Sequence, residues 1–269
     1  MPYRLAGFGD EISADIQRQM DHLLDNDVKL CALRGANKKE VLDFEDFQIN
    51  LIKTQFFNRA IKFSCIASPC GNVSIADPFA PELERFKKAC TRAKQFETRV
   101  VGVYGFQAGD PAAQQAEAVK RLKDFAQYAK DQSLNLLLEN APGTCVDTAD
   151  RMAAVVTAVG APNLMVTLDF ASCVAAGDDP LAAWNTLKRW IKDFHIKDRN
   201  AEGRDVPAGT GLAKIRDVLA DAWAQNWTGL LTLEPHLVET PGFESLDGAA
   251  RFKAAAEALK KILAGLGAA

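Results

Sequence analysis

Four short apolar segments in the second half of the chain each contain an acidic or imidazole side chain. These residues are Glu139 in LLLEN, Asp169 in VTLDF, His195 in DFHIK and Glu234 in LTLEP. Burying such a side chain among apolar neighbours is costly unless it has a partner. Three carboxylates that converge repel one another, and a divalent cation would neutralise them. Three carboxylates with one neutral imidazole suit Mn²⁺, Mg²⁺ or Co²⁺, with positions left open for water or substrate.

The ligand types disfavour a structural zinc site, because they include no thiolate. We therefore expect Mn²⁺ at this site, with Mg²⁺, Co²⁺ or Zn²⁺ as alternatives. The competing interpretation is that the four residues are ordinary polar residues at strand ends, which cap the helices that follow. One such residue would carry no information, but four on successive apolar segments favour a metal site.

Eight short apolar segments, rich in Leu, Val and Ile, predict eight β-strands. Several are apolar at consecutive positions, as expected for parallel strands that are covered on both faces. Between them lie segments of helical periodicity, such as residues 111–131, where Val119, Leu122 and Phe125 recur at steps of three or four. The predicted strands are residues 4–9, 28–35, 62–69, 100–106, 135–140, 164–170, 191–198 and 229–236.

This alternation predicts an α/β protein with a single (β/α)₈ TIM barrel that comprises residues 1–269. A doubly wound open sheet is the alternative for this length, but no GxGxxG motif follows the first strand. In a parallel barrel the C-terminal ends of the strands and the loops after them supply the functional groups. Glu139, Asp169, His195 and Glu234 are therefore predicted to meet at one rim.

Further polar residues follow the first two predicted strands and are candidate substrate contacts. Arg34, at the end of the second strand, suits a hydroxyl or carboxylate group of a substrate. An ion pair between Arg34 and Asp10 or Glu11 would give the same pattern. Glu11, which follows the first strand, is itself a candidate for the pocket lining.

Lys197 and His236 are two more candidate substrate contacts, on the last two strands. Lys197 lies two residues after His195 on the same strand face and could place a positive charge near a substrate oxygen. Its alternative role is a salt bridge to Asp198 or Glu139. His236 lies two residues beyond the last glutamate and could donate a hydrogen bond to a substrate, or bond to the backbone at the strand end.

The Gly209-Thr210-Gly211 segment follows the seventh predicted strand. Many barrels present backbone N–H groups to a phosphate at this position. A tight turn that enters the next helix explains the two glycines equally well. Near the rim, the only basic residues that could support a phosphate are Arg34, Lys197, Arg199 and Arg204.

The motifs at the strand ends resemble those of the sugar phosphate isomerase/epimerase family, the xylose-isomerase-like TIM barrels, over nearly the whole chain. The resemblance rests on FGDEIS, LRG, SPCG, LEN with DT downstream, LDF, HIKD, VPAGTG and LEPH. Its specific feature is the ordered set of Glu, Asp, His and Glu on the fifth to eighth strands. It implies that Glu139, Asp169, His195 and Glu234 bind the metal ion, and that Glu139 and Glu234 also act as the acid/base pair.

Two positions depart from the family pattern. Thr210 stands where the family often has an acidic residue, and relatives that act on free ketoses can carry a histidine near Ser172. Roles at these two positions are therefore not carried over. The family name refers to sugar phosphates, but the sequence shows no cluster of basic residues at the rim that would bind a phosphate group.

The resemblance implies a metal-dependent isomerase or epimerase of a small sugar or sugar derivative. A metal ion stabilises the enediolate that forms when the proton next to a carbonyl is removed, and two glutamates exchange that proton. One alternative is a dehydratase that uses the same site on a keto-inositol-like polyol. Another is a non-catalytic sugar-binding barrel. An endonuclease is disfavoured, because its trinuclear zinc site needs more imidazoles than the three histidines of this chain.

Composition excludes several other classes of protein. The 269 residues are 48% hydrophobic and 25% charged, with a net charge of -3, so we expect no nucleic-acid partner. No apolar run reaches the roughly 18 residues of a membrane helix, and the N-terminal segment lacks the pattern of a signal peptide. Six cysteines form no CxxC pair. We therefore expect a cytoplasmic protein with reduced thiols.

The four tryptophans bear on assembly. Trp184, Trp190, Trp223 and Trp227 all lie in predicted outer segments of the barrel. Barrels of this kind often dimerise, and exposed tryptophans would fit an interface. Packing between helices explains them equally well. A homodimer is therefore one expectation for this chain.

Overall fold

In the computed structural model, which describes residues 3–267, eight parallel strands close into a barrel. The strands follow one another around the barrel in chain order, and the first pairs with the last as well as with the second. This confirms the predicted (β/α)₈ TIM barrel. The barrel strands are β1 (Tyr3–Phe8), β2 (Leu30–Leu33), β3 (Lys62–Ala67), β4 (Val100–Tyr104), β5 (Asn135–Glu139), β6 (Leu164–Asp169), β7 (Ile191–Ile196) and β8 (Gly229–Leu233).

Helices connect successive strands and cover the barrel. They are α1 (Ile16–Asp25), α2 (Asp46–Asn58), α3 (Phe79–Gln95), α4 (Pro111–Asp131), α5 (Ala149–Val159), α6 (Phe170–Ala175), α7 (Pro180–Leu187), α8 (Ile215–Ala224) and α9 (Gly248–Gly265). The predicted helical segment 111–131 is α4, which begins where Asp110 accepts the N–H of Ala113. Among residues 3–267, no helix is long and apolar enough to cross a membrane.

The consecutive apolar residues of the strands are buried on both faces. In β5, Leu136, Leu137 and Leu138 are each at most 4% exposed. Leu137 lines a cavity inside the barrel, and its two neighbours point to the opposite face, where the helices pack. This two-sided burial explains why the strands are apolar without alternation.

Two of the four tryptophans belong to the packing between strands and helices. Trp184 on α7 and Trp227 before β8 are 1% and 7% exposed. Their ring centroids lie 5.8 Å and 4.7 Å from that of Phe194 on β7. Both residues therefore fill space beneath the helices, so neither supplies surface for a dimer interface.

Strand register sets the positions of the rim residues. Asp169 pairs with His195 between β6 and β7, and His195 pairs with Thr232 between β7 and β8. Glu139, the last residue of β5, pairs with Thr167. Because residues two apart on a strand face the same side, Glu139, Asp169 and His195 project from successive strands at the same end of the barrel.

Candidate metal centre

The four residues predicted to bind a metal ion meet at the C-terminal end of the barrel. Their ligand atoms all lie within 4.8 Å of one another. The Nδ1 atom of His195 is 3.3 Å from an oxygen of Glu139, 3.1 Å from one of Glu234 and 3.9 Å from Oδ2 of Asp169. The structure thus brings together all four, from three successive strands and the residue that follows β8.

Two buried atoms in this cluster lie close to charged neighbours but make no hydrogen bond of good geometry. They are Oδ2 of Asp169 and Nδ1 of His195. Buried polar atoms are nearly always paired, and both atoms face the space shared by the four side chains. Carboxylate oxygens and an imidazole nitrogen in this number form a suitable ligand set for a divalent cation. The residues present therefore fit a divalent metal ion.

The competing interpretation is that the four residues cap helices. It applies to only one of their atoms, Oδ1 of Asp169. The Oδ1 atom of Asp169 accepts the N–H of Ser172 at 2.6 Å and caps α6, which leaves Oδ2 for the cluster. Asn140, which the sequence did not single out, accepts the Asp169 N–H at 2.7 Å and donates to its carbonyl oxygen. Asn140 thus fixes the backbone of a ligand from the neighbouring strand.

The carboxylates hold the His195 imidazole in its charged form when no cation is present. Burial lowers the pKa of His195, but Glu139 and Glu234 outweigh this effect and keep that pKa well above its usual value. A metal ion binds only the neutral imidazole and must displace its proton. Metal binding and protonation of His195 therefore compete for the same nitrogen.

We expect Mn²⁺ binding to release about one proton at neutral pH and to weaken as the pH falls. Below the raised pKa of His195, the logarithm of the association constant should increase by about one per pH unit because of this residue. Titration calorimetry at pH 7 in two buffers of different ionisation enthalpy measures the protons released. An affinity that is independent of pH and of buffer would contradict a role for His195 as a ligand.

Arg34 lies at the centre of an ion-pair network beside the cluster. Its three nitrogens each donate to a different carboxylate at 2.7 Å, those of Asp10, Glu11 and Glu234. The guanidinium also packs over the Phe8 ring at 4.7 Å. The ion-pair interpretation of Arg34 is thus confirmed for both predicted partners. The third contact was not predicted. It is with the candidate metal ligand Glu234, which lies 200 positions after Arg34 in the chain.

Lys197 contacts two of the four candidate metal ligands. Its Nζ atom is 2.9 Å from Asp169 and 3.3 Å from Glu234. The alternative prediction, a salt bridge to Asp198 or Glu139, is wrong. Burial lowers the pKa of Lys197, but Asp169 and Glu234 raise it well above its usual value, so the buried ammonium group stays charged.

His236 joins the two glutamates at the rim. Its Nε2 atom is 3.1 Å from Glu11 and 3.3 Å from Glu234. The imidazole therefore contacts side chains, and not the backbone as the alternative interpretation had it. Burial lowers the pKa of His236, but these glutamates raise it to about 9. Glu11, Glu234 and His236 are also close enough to share an ion. Arg34 already supplies a positive charge to both glutamates.

The Gly209-Thr210-Gly211 segment forms a tight turn around a carboxylate of the protein. Oδ2 of Asp198 accepts the N–H groups of Gly209 and Gly211 at 2.9 Å and 3.0 Å, and Oδ1 accepts that of Ala213 at 2.9 Å. Gly209 has a φ of +83°, and a Cβ at Gly211 would lie 2.3 Å from Asp198. The amides that could have bound a phosphate are therefore already satisfied, which supports the tight-turn interpretation.

Replacing Asp198 by Ala should lower the free energy of unfolding by about 1 to 3 kcal/mol, because several N–H groups lose their acceptor. A urea titration followed by circular dichroism measures this loss. Asp124→Ala, at an exposed position of α4, is the matched control and should change stability by less than about 0.5 kcal/mol. Equal losses in the two variants would show that Asp198 does not hold the loop.

A cavity of about 180 Å³ opens beside the cluster on the side of β3 and β4. Glu139 and His195 form part of its wall, and so do two residues that the sequence did not single out, Tyr104 and Asp193. Asp193 lies two residues before His195 on β7, so both side chains face the same side of the strand. This spacing could have predicted that Asp193 lies in the barrel interior. The full lining is Phe8, Arg34, Glu40, Cys65, Ala67, Ser68, Pro69, Asn72, Gly102, Val103, Tyr104, Leu137, Glu139, Thr167, Asp193 and His195.

Sequence comparison places this chain in a known family. The family model described as xylose isomerase-like TIM barrel matches residues 28–262. The chain belongs to the xylose isomerase-like TIM barrel family. The matched span of this xylose isomerase-like barrel contains strands β2 to β8 and all four candidate metal ligands.

Three known proteins illustrate what this xylose isomerase-like barrel is similar to. A 3-dehydroshikimate dehydratase from Bacillus anthracis is 26% identical over 130 residues, 47% of this chain and 46% of that protein, so the match spans about half of the relative's length. The crystal structure of IolI with a bound zinc atom has a TM-score of 0.79 at 15% identity and covers 97% of this chain and 98% of that one. The structure of D-psicose 3-epimerase in the presence of D-fructose has a TM-score of 0.77 at 18% identity, with 98% and 99% covered.

Proposed function

We propose that this protein is a divalent-metal-dependent isomerase or epimerase, which moves a proton at the carbon next to a carbonyl group of a small sugar or sugar derivative. The observation that carries the proposal is the placement of Glu139 and Glu234. Both lie within 3.3 Å of the same nitrogen of His195, and they come from strand ends that are separated by β6 and β7. When bound, a divalent cation supplies Lewis-acid stabilisation of the negative charge on substrate oxygens.

The surroundings of the two glutamates give them different parts in proton transfer. Glu139 lines the cavity, and its one ion-pair partner among the described residues is His195. We assign it the removal of the substrate proton, since its carboxylate faces the space where a substrate fits. A positioned carboxylate is an effective general base for such a proton.

Glu234 is instead held as an anion by its cationic neighbours. Burial raises its pKa, but Lys197 and the histidines lower it well below its usual value. A proton can return to the substrate on this side through Glu234, which would receive it from one of the two protonated groups in contact with its carboxylate, Lys197 and His236. Lys197 also places a fixed positive charge beside developing negative charge on the substrate.

The charges at the rim favour a substrate without a phosphate or carboxylate group. Arg34 is shared among Asp10, Glu11 and Glu234, and His236 lies between two of those glutamates. Asp10 and Glu11 are not among the predicted metal ligands, so a bound cation would leave their pairs with Arg34 in place. A neutral polyhydroxylated ketone therefore suits the site better than an anion.

Dehydration is the second candidate function. It begins with the same proton removal and then expels a neighbouring hydroxyl group, which needs a proton donor close by. Lys197 and His236, both in contact with Glu234, are such donors. The similarity to a 3-dehydroshikimate dehydratase favours this candidate specifically.

One experiment tests the proposal and separates the two candidates. The protein, loaded in turn with Mn²⁺, Mg²⁺, Co²⁺ or Zn²⁺, is incubated in D₂O with D-fructose, D-psicose, a keto-inositol and 3-dehydroshikimate. Isomerisation or epimerisation incorporates solvent deuterium without loss of water, whereas dehydration yields a product lighter by one water. Nuclear magnetic resonance and mass spectrometry detect both products. Absence of exchange and of dehydration with every metal ion would overturn the proposal.

A further inference from the structure

Asp193 is a buried carboxylate with no part in the proton transfer proposed above. It lies on β7, two residues before His195, so it faces the interior of the barrel. Its side chain is 1% exposed. An ionised carboxylate at such a depth is strongly disfavoured unless hydrogen bonds or an opposite charge compensate it. An ionised Asp193 therefore needs a partner that compensates its negative charge.

The contacts of Asp193 lead to one metal ligand. Its Oδ1 atom accepts a hydrogen bond of 2.7 Å from the hydroxyl of Thr232 on β8. Its Oδ2 atom lies 3.8 Å from Nε2 of His195. Among the described residues, the His195 ring is the only cationic group within ion-pair distance of Asp193. Thr232 thus orients one oxygen, and the other faces the imidazole.

The two nitrogens of His195 face different surroundings. Nδ1 points at the three carboxylates of the cluster, and Nε2 points away from them at Asp193. Phe8 packs edge-on against the ring, with centroids 5.2 Å apart and an interplanar angle of 89°, and so restricts its rotation. A neutral imidazole carries one hydrogen, and only the nitrogen without it can bind a metal ion.

We propose that Asp193 is a positioning residue that attracts the Nε2–H of His195 and thereby leaves the Nδ1 lone pair directed at the bound cation. A carboxylate behind a metal-bound histidine fixes the ring orientation and increases its basicity as a ligand. Thr232 completes the arrangement by holding the carboxylate in place. The role concerns metal binding alone and does not depend on which reaction follows.

Asp193→Asn is the variant that tests this role. The asparagine side chain keeps the size of aspartate, and its carbonyl oxygen can still accept from Thr232. Its amide group then faces Nε2 as a donor, which favours the tautomer with the hydrogen on Nδ1. We expect the dissociation constant for Zn²⁺, measured by competition with a chelating dye, to rise about 10- to 100-fold.

The stability of the metal-free protein separates this role from a structural one. In the metal-free protein the charged His195 keeps Glu139 and Glu234 as closer partners, so the melting temperature of Asp193→Asn in excess chelator should equal or exceed that of the wild type. A structural role predicts the opposite, a lower melting temperature without a specific loss of metal affinity. That result would overturn the proposal.

Three further variants serve as matched controls. Thr167→Val removes a buried hydroxyl on β6 directly beside Asp193 in the sheet and should leave Zn²⁺ affinity unchanged. Thr232→Val should weaken it, and Thr232→Ser should restore it. If Asp193→Asn did not fold, the Thr232 pair would still decide the question, since equal affinity in those two variants contradicts the proposal.

A spectroscopic measurement reports the tautomer directly. Long-range ¹⁵N–¹H correlation spectra of the Zn²⁺-loaded protein distinguish a histidine that binds through Nδ1 from one that binds through Nε2. We expect His195 in the wild type to bind through Nδ1 and to carry its hydrogen on Nε2. Binding through Nε2 would exclude the proposed role of Asp193.

Discussion

Replacing Glu139 by Gln is expected to lower deuterium incorporation into the substrate about 10²- to 10⁴-fold, the contribution of a positioned general base. The amide cannot accept a proton, yet its oxygen can still contact a cation. The loss should therefore persist at saturating Mn²⁺. Exchange is measured in D₂O with whichever compound of the panel the wild type deuterates fastest, and Mn²⁺ affinity is measured in parallel.

Glu257→Gln is the matched control for this variant. Glu257 lies at an exposed position of α9, away from the cavity, and its ion-pair partner is Lys253 at 3.8 Å. We expect its exchange rate to stay close to that of the wild type. If Glu139→Gln retained full exchange at saturating Mn²⁺, Glu139 would not be the base. If the wild type bound a sugar without turnover and Glu139→Gln bound it as well, the results would favour a non-catalytic sugar-binding barrel.

A divalent cation is expected to stabilise the wild type strongly and an Asp169 variant hardly at all. At a hundredfold excess over the dissociation constant, binding adds about 2.7 kcal/mol to the free energy of unfolding. For a chain of this length, that raises the melting temperature by about 5 to 10 °C. Thermal melts of metal-stripped protein with and without Mn²⁺ measure the shift.

Asp169→Asn is the informative variant, because Asp169 has two functions. Its Oδ1 atom caps α6 and its Oδ2 atom faces the cluster. Asparagine can retain the cap while losing the carboxylate, whereas Asp169→Ala also loses the cap, worth about 1 kcal/mol. Both variants should lose the Mn²⁺ shift. Both also remove a carboxylate partner of the buried Lys197, so both should melt at a lower temperature without metal, and Asp169→Ala should show the larger decrease because it loses the cap as well. A wild type that shows no shift with Mn²⁺, Mg²⁺, Co²⁺ or Zn²⁺ would contradict the metal centre.

The barrel and its four candidate ligands are predictable from sequence for a shared physical reason. Parallel strands covered on both faces must be apolar throughout, so a single acid or imidazole at the end of such a strand stands out. Glu139 and Asp169 are of this kind, whereas His195 shares its strand with Lys192 and Asp193. Because the strand ends of a parallel barrel meet at one rim, their spatial proximity follows from the fold without any knowledge of the side-chain geometry.

The partners of the longer side chains could not be predicted in the same way. Lys197 reaches Asp169 and Glu234 instead of Asp198, since a four-carbon side chain spans distances that sequence separation does not encode. Asp193 is followed by an apolar residue and preceded by Lys192, a pattern that suits an ordinary strand start. Its depth becomes evident only when the barrel closes around it.

The hydrogen bonds that Asp198 accepts from the segment after β7 have a consequence for ligand binding. The two oxygens of one carboxylate accept the N–H groups of Gly209, Gly211 and Ala213, so this segment is ordered before any ligand binds. A loop that is already ordered loses little conformational entropy on association, which favours tight binding of a small molecule with few contacts. Residues 209–213 are therefore ordered by the protein itself, and a movement that accompanies ligand binding is expected in other loops.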